Sequence, residues 1–195
     1  MSESMEAALR SAHLLERIGR LVQSEEQTGG LPPVQWEVLR YLSRANRFSR
    51  TPAIVAEYLG STRGTVSQTL MVLESKGLIE RHPSERDRRS IDLALTEEGR
   101  RRLEDDPLFR LATDIVGAMG DQTTELTQAL ESVLIAILDR NGRKAFSACR
   151  TCRHFEEGGG DPPERRHRCA LINVPLSDTD ADEVCAESER QDRVA

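Results

Sequence analysis

Apolar residues recur every three or four positions through most of the sequence up to residue 140, the spacing of helices that bury one face. Short polar, glycine or proline stretches interrupt this spacing and mark the helix ends. Thr51, Ser61 and Thr96 each stand where a hydroxyl group can cap a first turn. The pattern predicts helices over residues 3–27, 33–42, 52–59, 62–75, from 96 onward, 108–119 and 126–138.

Between residues 78 and 95 the pattern changes to that of a hairpin. Residues 78–81 are short and extended, residues 91–95 alternate between apolar and polar, and the polar stretch 82–90 separates them. Four arginines at positions 81, 86, 88 and 89 stand against Glu85 and Asp87, so residues 81–90 carry a local charge of +2. The sequence therefore predicts a β-hairpin with a charged tip.

Two short helices joined through Leu59-Gly60-Ser61 and followed by a hairpin form the pattern of a winged helix-turn-helix. The second helix of such a pair fits the major groove of DNA, where its first polar side chains reach base edges and phosphates. A hairpin tip with arginines suits a minor groove. The residues predicted to contact DNA are Ser61, Thr62, Arg63, Thr65, Ser67 and Gln68 on the helix, and Arg86, Arg88 and Arg89 on the hairpin.

Residues 33–99 resemble the multiple-antibiotic-resistance regulator (MarR) family. The resemblance rests on the sequence of residues 61–81 with its Leu-Glu-x-Lys-Gly-Leu ending, on Asp87-Arg-Arg-Ser90, and on Leu95-Thr-Glu-Glu-Gly99. It implies a homodimer that binds a pseudo-palindromic operator on double-stranded DNA and regulates transcription. It also implies that Asp87 orients the wing and that residues 61–75 form the recognition helix.

The flanking helices carry apolar stripes that a small winged helix cannot bury alone. We therefore expect dimerisation helices in residues 1–30 and 106–141, around a DNA-binding domain of residues 31–105. Two-fold packing of these helices would also place two recognition helices about one DNA turn apart. The predicted fold is mainly α, with a small β-hairpin wing and a cysteine-rich metal-binding tail.

Composition excludes several classes of protein. The chain carries a net charge of −6, which argues against binding nucleic acid through bulk charge alone. It has no apolar run long enough to cross a membrane and no visible secretory signal, so a cytoplasmic protein is expected. No nucleotide-binding loop or nucleophile motif is present, and we expect no enzymatic activity.

All four cysteines lie in one extension, residues 145–190, at positions 149, 152, 169 and 185. Residues 156–195 have few large apolar side chains and carry eleven acidic against five basic residues. This tail therefore needs a bound metal or a covalent cross-link to become ordered. Four thiolates suit either an iron–sulfur cluster, [4Fe-4S] or [2Fe-2S], or a zinc ion. His154 and His167 are alternative ligands.

The spacing of the cysteines favours the cluster over zinc, because the third and fourth cysteines stand alone rather than as a second close pair. The stretch also resembles the pattern of high-potential iron–sulfur proteins, although Phe155 is its only aromatic shield. A poorly shielded cluster suits a redox or iron sensor. Loss of the cluster would shift the helix that ends near Leu138. The alternatives are a structural zinc site, an electron-transfer protein, and a regulator gated by a small molecule bound near Trp36, Tyr41 and Phe109.

Overall fold

The computed structural model describes residues 2–84, 89–158, 160–161 and 163–190 of the 195-residue chain. Seven helices and a hairpin occupy the first 140 residues. They are α1 (Glu3–Thr28), α2 (Pro33–Arg44), α3 (Pro52–Leu59), α4 (Arg63–Ser75), β1 (Ile79–Pro83), β2 (Ile91–Leu95), α5 (Glu97–Glu104), α6 (Leu108–Met119) and α7 (Thr123–Arg140). Among the described residues, no helix combines the length and apolar character that a membrane crossing requires.

The main hydrophobic core lies between α2, α3, α4 and the hairpin. Trp36, Leu39, Leu70 and Leu73 are fully buried in it, and the hairpin contributes Leu93. The strands β1 and β2 are antiparallel, with Ile79 opposite Leu95. Gly99 allows α5 to pack closely on this core, because a Cβ atom at that position would lie 2.1 Å from the carbonyl oxygen of Leu78.

A second, smaller unit follows α7 and contains the four cysteines. Its elements are β3 (Ser147–Ala148), β4 (Phe155–Glu156), β5 (His167–Cys169), β6 (Val174–Leu176), α8 (Asp178–Asp182) and β7 (Val184–Cys185). β3 pairs with β7, and β4, β5 and β6 form an antiparallel sheet. Leu176 is buried at the centre of this unit, which we call the cysteine module (residues 147–190).

Several element boundaries differ from the sequence-based predictions; α2, for example, runs two residues further than predicted, to Arg44. α4 begins at Arg63 and is capped by Thr62 rather than Ser61, because the Ser61 N–H instead closes the end of α3 on the Ala56 carbonyl. β1 runs to Pro83 rather than Arg81. α7 begins at Thr123 rather than residue 126, since its polar first turn carries no apolar periodicity.

A buried ionic triad joins the terminal helices α1 and α6 to α2 of the winged helix. The guanidinium of Arg40 on α2 lies 2.5 Å from a carboxylate oxygen of Glu26 on α1 and 2.5 Å from one of Asp106, just before α6. Glu26 and Asp106 are 3% and 7% exposed. The side chain of Trp36 donates to the Glu26 carbonyl, 3.2 Å away, beside the triad. The guanidinium of Arg40 therefore links α1 and the start of α6 to α2.

Replacing Arg40 with Met should lower the free energy of unfolding by about 3–5 kcal/mol, because two buried carboxylates would lose their only shared cation. Arg20→Met is the matched control, since Arg20 forms an exposed pair with Glu16, and it should change the stability by less than about 1 kcal/mol. Urea unfolding of both variants at one protein concentration measures the difference. Equal effects of the two substitutions would contradict the structural role of the triad.

Candidate nucleic-acid interface and cysteine cluster

The turn between α3 and α4 sets the angle of the second helix. Gly60 ends α3 with a φ of +61°, a left-handed conformation that favours glycine. Thr62 then caps α4, because its hydroxyl oxygen accepts from the Thr65 N–H at 3.2 Å. The sequence Leu-Gly-Ser-Thr therefore produces two short helices with a sharp corner between them, as a helix-turn-helix requires.

The two faces of α4 differ completely. Val66, Leu70 and Leu73 are buried against α3 and the hairpin. The opposite face of its first two turns is exposed and polar; of the residues predicted to contact DNA, it presents Thr62, Arg63, Thr65, Ser67 and Gln68, whereas Ser61 is half-buried in the turn before it. An anchored helix with a free polar face at its N-terminus can present hydrogen-bond donors and acceptors to a groove of DNA.

The hairpin is fastened to this helix. Arg81 on β1 forms an ion pair with Glu74 on α4, with 3.0 Å between Nε and Oε2. Arg81 therefore belongs to the base of the hairpin rather than to its tip. Arg89 is exposed at the tip, while Arg86, Asp87 and Arg88 lie outside the described residues, so their predicted roles stay predictions. Helix and hairpin form one continuous surface.

The cysteine module gathers three of the four cysteines around one apolar cluster. Cys149, Cys185 and Leu176 are buried together, with the half-buried Cys169 packed against them. Cys152 is also buried and follows Cys149 by one 3₁₀ turn, in which its N–H donates to the Cys149 carbonyl at 2.9 Å. The four cysteines are free thiols.

Hydrogen-bond donors point at two of the sulfur atoms. The side-chain amide of Asn46 donates to Cys149 Sγ at 3.3 Å, and Asn46 is fully buried. The backbone N–H groups of His154 and Glu189 lie 3.5 Å and 3.4 Å from Cys152 Sγ. Donors of this kind stabilise thiolate over thiol.

Cys149 and Cys185 behave as a pair. Their side chains are hydrogen-bonded to each other, which lowers the pKa of the Cys185 thiol to about 6, although burial opposes the shift. The same hydrogen bond and burial raise the pKa of Cys149 well above its usual range. A soft cation that bound these sulfur atoms would compete with the proton of their mutual hydrogen bond.

The two histidines of the module differ in their surroundings, since His154 Nε2 is buried and forms no hydrogen bond. His167 is 1% exposed, lies 2.9 Å from Asp178 through Nε2, and accepts the Gly158 N–H at Nδ1. His154 Nε2 lies 3.1 Å from a carboxylate oxygen of Glu189. The alternative ligand role of His154 and His167 stays a prediction.

Within the described ranges, no set of three or more Cys, His, Asp or Glu side chains has ligand geometry for one metal ion. The donor set nevertheless has the chemistry of a thiophilic site, since one small unit holds four sulfur atoms, and those of Cys149, Cys152 and Cys185 receive hydrogen-bond donors. Binding of a metal centre would therefore require the cysteine side chains to reorient.

Sequence reasoning missed the part of the cysteine cluster that the DNA-binding domain supplies. Asn46 and Ser49 approach the thiols, and Phe48 packs on the cluster. The polar stretch 43–51 was expected only to end a helix, and the isolated Phe48 within it was the one available signal. The grouping of Trp36, Tyr41 and Phe109 as a ligand site is not supported, since the first two are core residues and Phe109 is exposed.

Comparisons with known proteins agree with this geometry. The family model described as "MarR family" matches residues 29–90, the segment from just before α2 to the start of β2. No curated protein matches the sequence.

Several solved structures share the fold over most of their own length. FabT of Streptococcus pneumoniae in complex with DNA is 26% identical, covers 68% of this chain and 98% of its own, and has a TM-score of 0.55. A MarR transcriptional regulator from Methanosarcina mazei is 26% identical, covers 69% and 98%, and has a TM-score of 0.53. AbsC of Streptomyces coelicolor, a MarR family transcriptional regulator, is 20% identical, covers 70% and 96%, and has a TM-score of 0.57.

Each of these matches leaves roughly three tenths of this chain uncovered. The family model ends before the first cysteine. Residues 29–90 thus match the MarR family model, and the chain shares its fold with solved MarR regulators over about seven tenths of its length.

Proposed function

We propose that this protein is a DNA-binding transcriptional regulator that acts as a homodimer on a pseudo-palindromic operator, and that an iron–sulfur cluster on its four cysteines controls its affinity for that operator. The exposed polar face at the start of α4, opposite a fully buried apolar face, carries the DNA-binding part of the proposal. A relative in fold supports it, since FabT was crystallised with DNA.

Recognition combines two kinds of contact. Gln68 lies on the free face of α4, where its amide can form a bidentate pair with adenine. Arg63 and the hydroxyl groups of the first turn reach phosphates, which fix the register of the helix without reading sequence. Arg89 of the wing adds positive charge at the edge of this surface. The whole chain is acidic, so this local surface must supply the attraction to DNA.

Dimerisation follows from the surface that one copy leaves open. The chain exposes 13051 Å², whereas a compact monomer of 21.8 kDa exposes about 9,300 Å². Large apolar side chains on α1, α6 and α7 are between 37% and 61% exposed, including Leu21, Phe109, Val116 and Leu134. A second copy that packs on these helices would bury that surface and set the distance between two α4 helices.

Replacing Gln68 with Ala should weaken binding to the preferred DNA sequence by roughly 5- to 150-fold, because a bidentate base contact would be lost. The preferred sequence is first selected from a random duplex library, and fluorescence anisotropy then measures the affinity. Gln122→Ala, on the turn between α6 and α7, is the matched control. Arg63→Ala should instead weaken binding to all sequences and lower the salt dependence by about one counterion. If neither α4 variant weakened binding, α4 would not be the recognition helix.

Replacing Leu134 with Glu should shift the protein from dimer to monomer, because it would bury a carboxylate in the proposed interface. Analytical ultracentrifugation measures the shift, and operator affinity should fall with it. Ser132→Glu introduces the same charge on the opposite face of α7 and should leave the dimer intact. A monomeric wild-type protein, or equal behaviour of the two variants, would contradict the proposed interface.

The cluster part of the proposal rests on the donor chemistry of the cysteine module. Cys149 and Cys152 flank one 3₁₀ turn, whereas Cys169 and Cys185 end two separate short strands rather than forming a second close pair. Hydrogen bonds to sulfur are one means by which proteins tune iron–sulfur clusters. Bound at this site, such a cluster would supply a redox-sensitive centre. The chain itself supplies the thiolates, the donors from Asn46, His154 and Glu189, and the apolar cover of Phe48 and Phe155.

Protein purified without oxygen should contain iron and sulfide and absorb at about 400 nm, from charge transfer between thiolate and iron. The double variant Cys149→Ser, Cys152→Ser should lose both the colour and the iron, and His154→Ala should keep them. If the protein instead contained zinc and no sulfide, the site would be a structural zinc site and not an iron–sulfur cluster. Absence of any bound metal would overturn the metal proposal and leave DNA binding to be judged by the α4 variants.

A further inference from the structure

We propose that the segment Ala45–Arg50, which joins α2 to α3 and which we call the 45–50 linker, transmits the state of the cysteine cluster to the DNA-binding surface. This inference rests on the proposed function, since it names the path by which that site regulates DNA binding. It places the coupling inside the DNA-binding domain instead of in the end of α7, where the sequence alone had suggested it.

One side of the linker is bound to the cysteine module. Asn46 donates through Nδ2 to Cys149 Sγ at 3.3 Å, and its backbone N–H donates to the Val184 carbonyl at 2.9 Å. The Ser49 hydroxyl accepts the N–H of Ala186 at 2.9 Å, next to Cys185. Asn46 and Ser49 are 0% and 1% exposed, so water cannot replace these partners without opening the structure.

The other side of the linker is bound to the parts that would read DNA. The Ser49 carbonyl accepts the Tyr41 hydroxyl at 2.7 Å, and the Arg50 carbonyl accepts the N–H of Leu93 on β2, also at 2.7 Å. Thr51, the next residue, caps α3. Movement of the linker therefore displaces the wing strand and the start of the helix-turn-helix together.

Charge strengthens the attachment of the linker to the acidic module. Arg47 Nε lies 3.2 Å from a carboxylate oxygen of Asp180, and its guanidinium also donates to the Pro175 carbonyl at 2.8 Å. Arg50 Nη2 lies 3.1 Å from a carboxylate oxygen of Glu183, and Arg50 Nε donates to the Ala45 carbonyl at 2.7 Å. These side chains are partly buried, where ion pairs are screened less than at the surface.

The competing path through α7 has weaker contacts. Arg190 forms an ion pair with Asp139 at 2.7 Å, but both side chains are about half exposed, and exposed pairs contribute little. Coupling between two sites needs an element that both sites hold in place. The buried linker meets that requirement, and the Arg190–Asp139 pair does so only at the surface.

Hydrogen exchange on the full-length protein tests the path without DNA. Cys149→Ser should speed amide exchange in residues 45–50 and 91–95, because the Asn46 contact holds the linker and the linker holds Leu93. The same substitution in an Asn46→Asp background, which keeps side-chain shape and removes the donor, should add no further change. Unchanged exchange in residues 91–95, or a change confined to residues 123–140, would overturn the inference.

Affinity for the selected DNA sequence supplies the second measurement. The ratio of dissociation constants between protein as purified without oxygen and the same protein after chelator treatment should shrink about tenfold in Asn46→Asp and in Ser49→Ala. Asp139→Asn, the matched control on α7, should keep the wild-type ratio. The path would be overturned if both linker variants kept the wild-type ratio of dissociation constants, or if Asp139→Asn alone lost it.

The two measurements separate the two proposals. A wild-type protein that binds no DNA, but whose residues 91–95 respond to Cys149→Ser, would reject the proposed function and retain the contact path. Intact DNA binding with no response in residues 91–95 would reject the path alone. If Asn46→Asp unfolds, Ser49→Ala decides both measurements, because it deletes only the hydroxyl that accepts the Ala186 N–H and approaches Cys185.

Discussion

Six residues without regular secondary structure, Ala45–Arg50, lie between two hydrophobic cores and belong to both. A buried chain segment must pair its backbone polar groups, because water cannot reach them. Here the backbone groups pair with Tyr41 and Leu93 on one side and with Val184 on the other, where the Ser49 hydroxyl also accepts the Ala186 N–H. Ala45 packs in the core of the winged helix, and Phe48 packs against the cysteines. The two units therefore share a boundary that neither can complete alone.

This shared boundary explains how so small a module holds its shape. Leu176 is its one fully buried large aliphatic side chain among the described residues, and a core of that size contributes little stability. The module gains contacts by resting on the winged helix, because Val184 packs on the main core. Phe146, which directly precedes the module, lies 5.3 Å from Tyr58 between ring centroids. The acidic residues of the module face the arginines of the linker. The module is thus stabilised as part of a larger body.

The helices and the hairpin could be predicted from the sequence because their signals are local. Thr51-Pro52, Gly60 and the alternation of residues 91–95 determine turns and strand faces through neighbouring residues. The exposed face of α4 followed from the same periodicity. The fold of the cysteine module could not be predicted, because its strands of two or three residues are too short for a period. The role of Asn46 depends on a partner 103 positions away.

The family resemblance and the periodicity together indicated the part of the site that α4 presents, whereas the part made by tertiary contacts had no sequence signal. Arg81 illustrates the difference. In the sequence it counts as one more positive charge near the wing tip, but in the structure its guanidinium is held by Glu74 at the base of the hairpin. A count of charges therefore overstates the positive surface that the hairpin presents.

The triad of Arg40, Glu26 and Asp106 has a mechanical consequence. It ties α1 and the start of α6 to α2, so the terminal helices and the winged helix are joined at one compact point rather than through a flexible hinge. A small rotation of the terminal helices about the triad would therefore displace the distant end of the winged helix by a larger distance. In the proposed dimer, the two α4 helices would then lose the spacing that two neighbouring grooves of DNA require, although each copy would keep its fold.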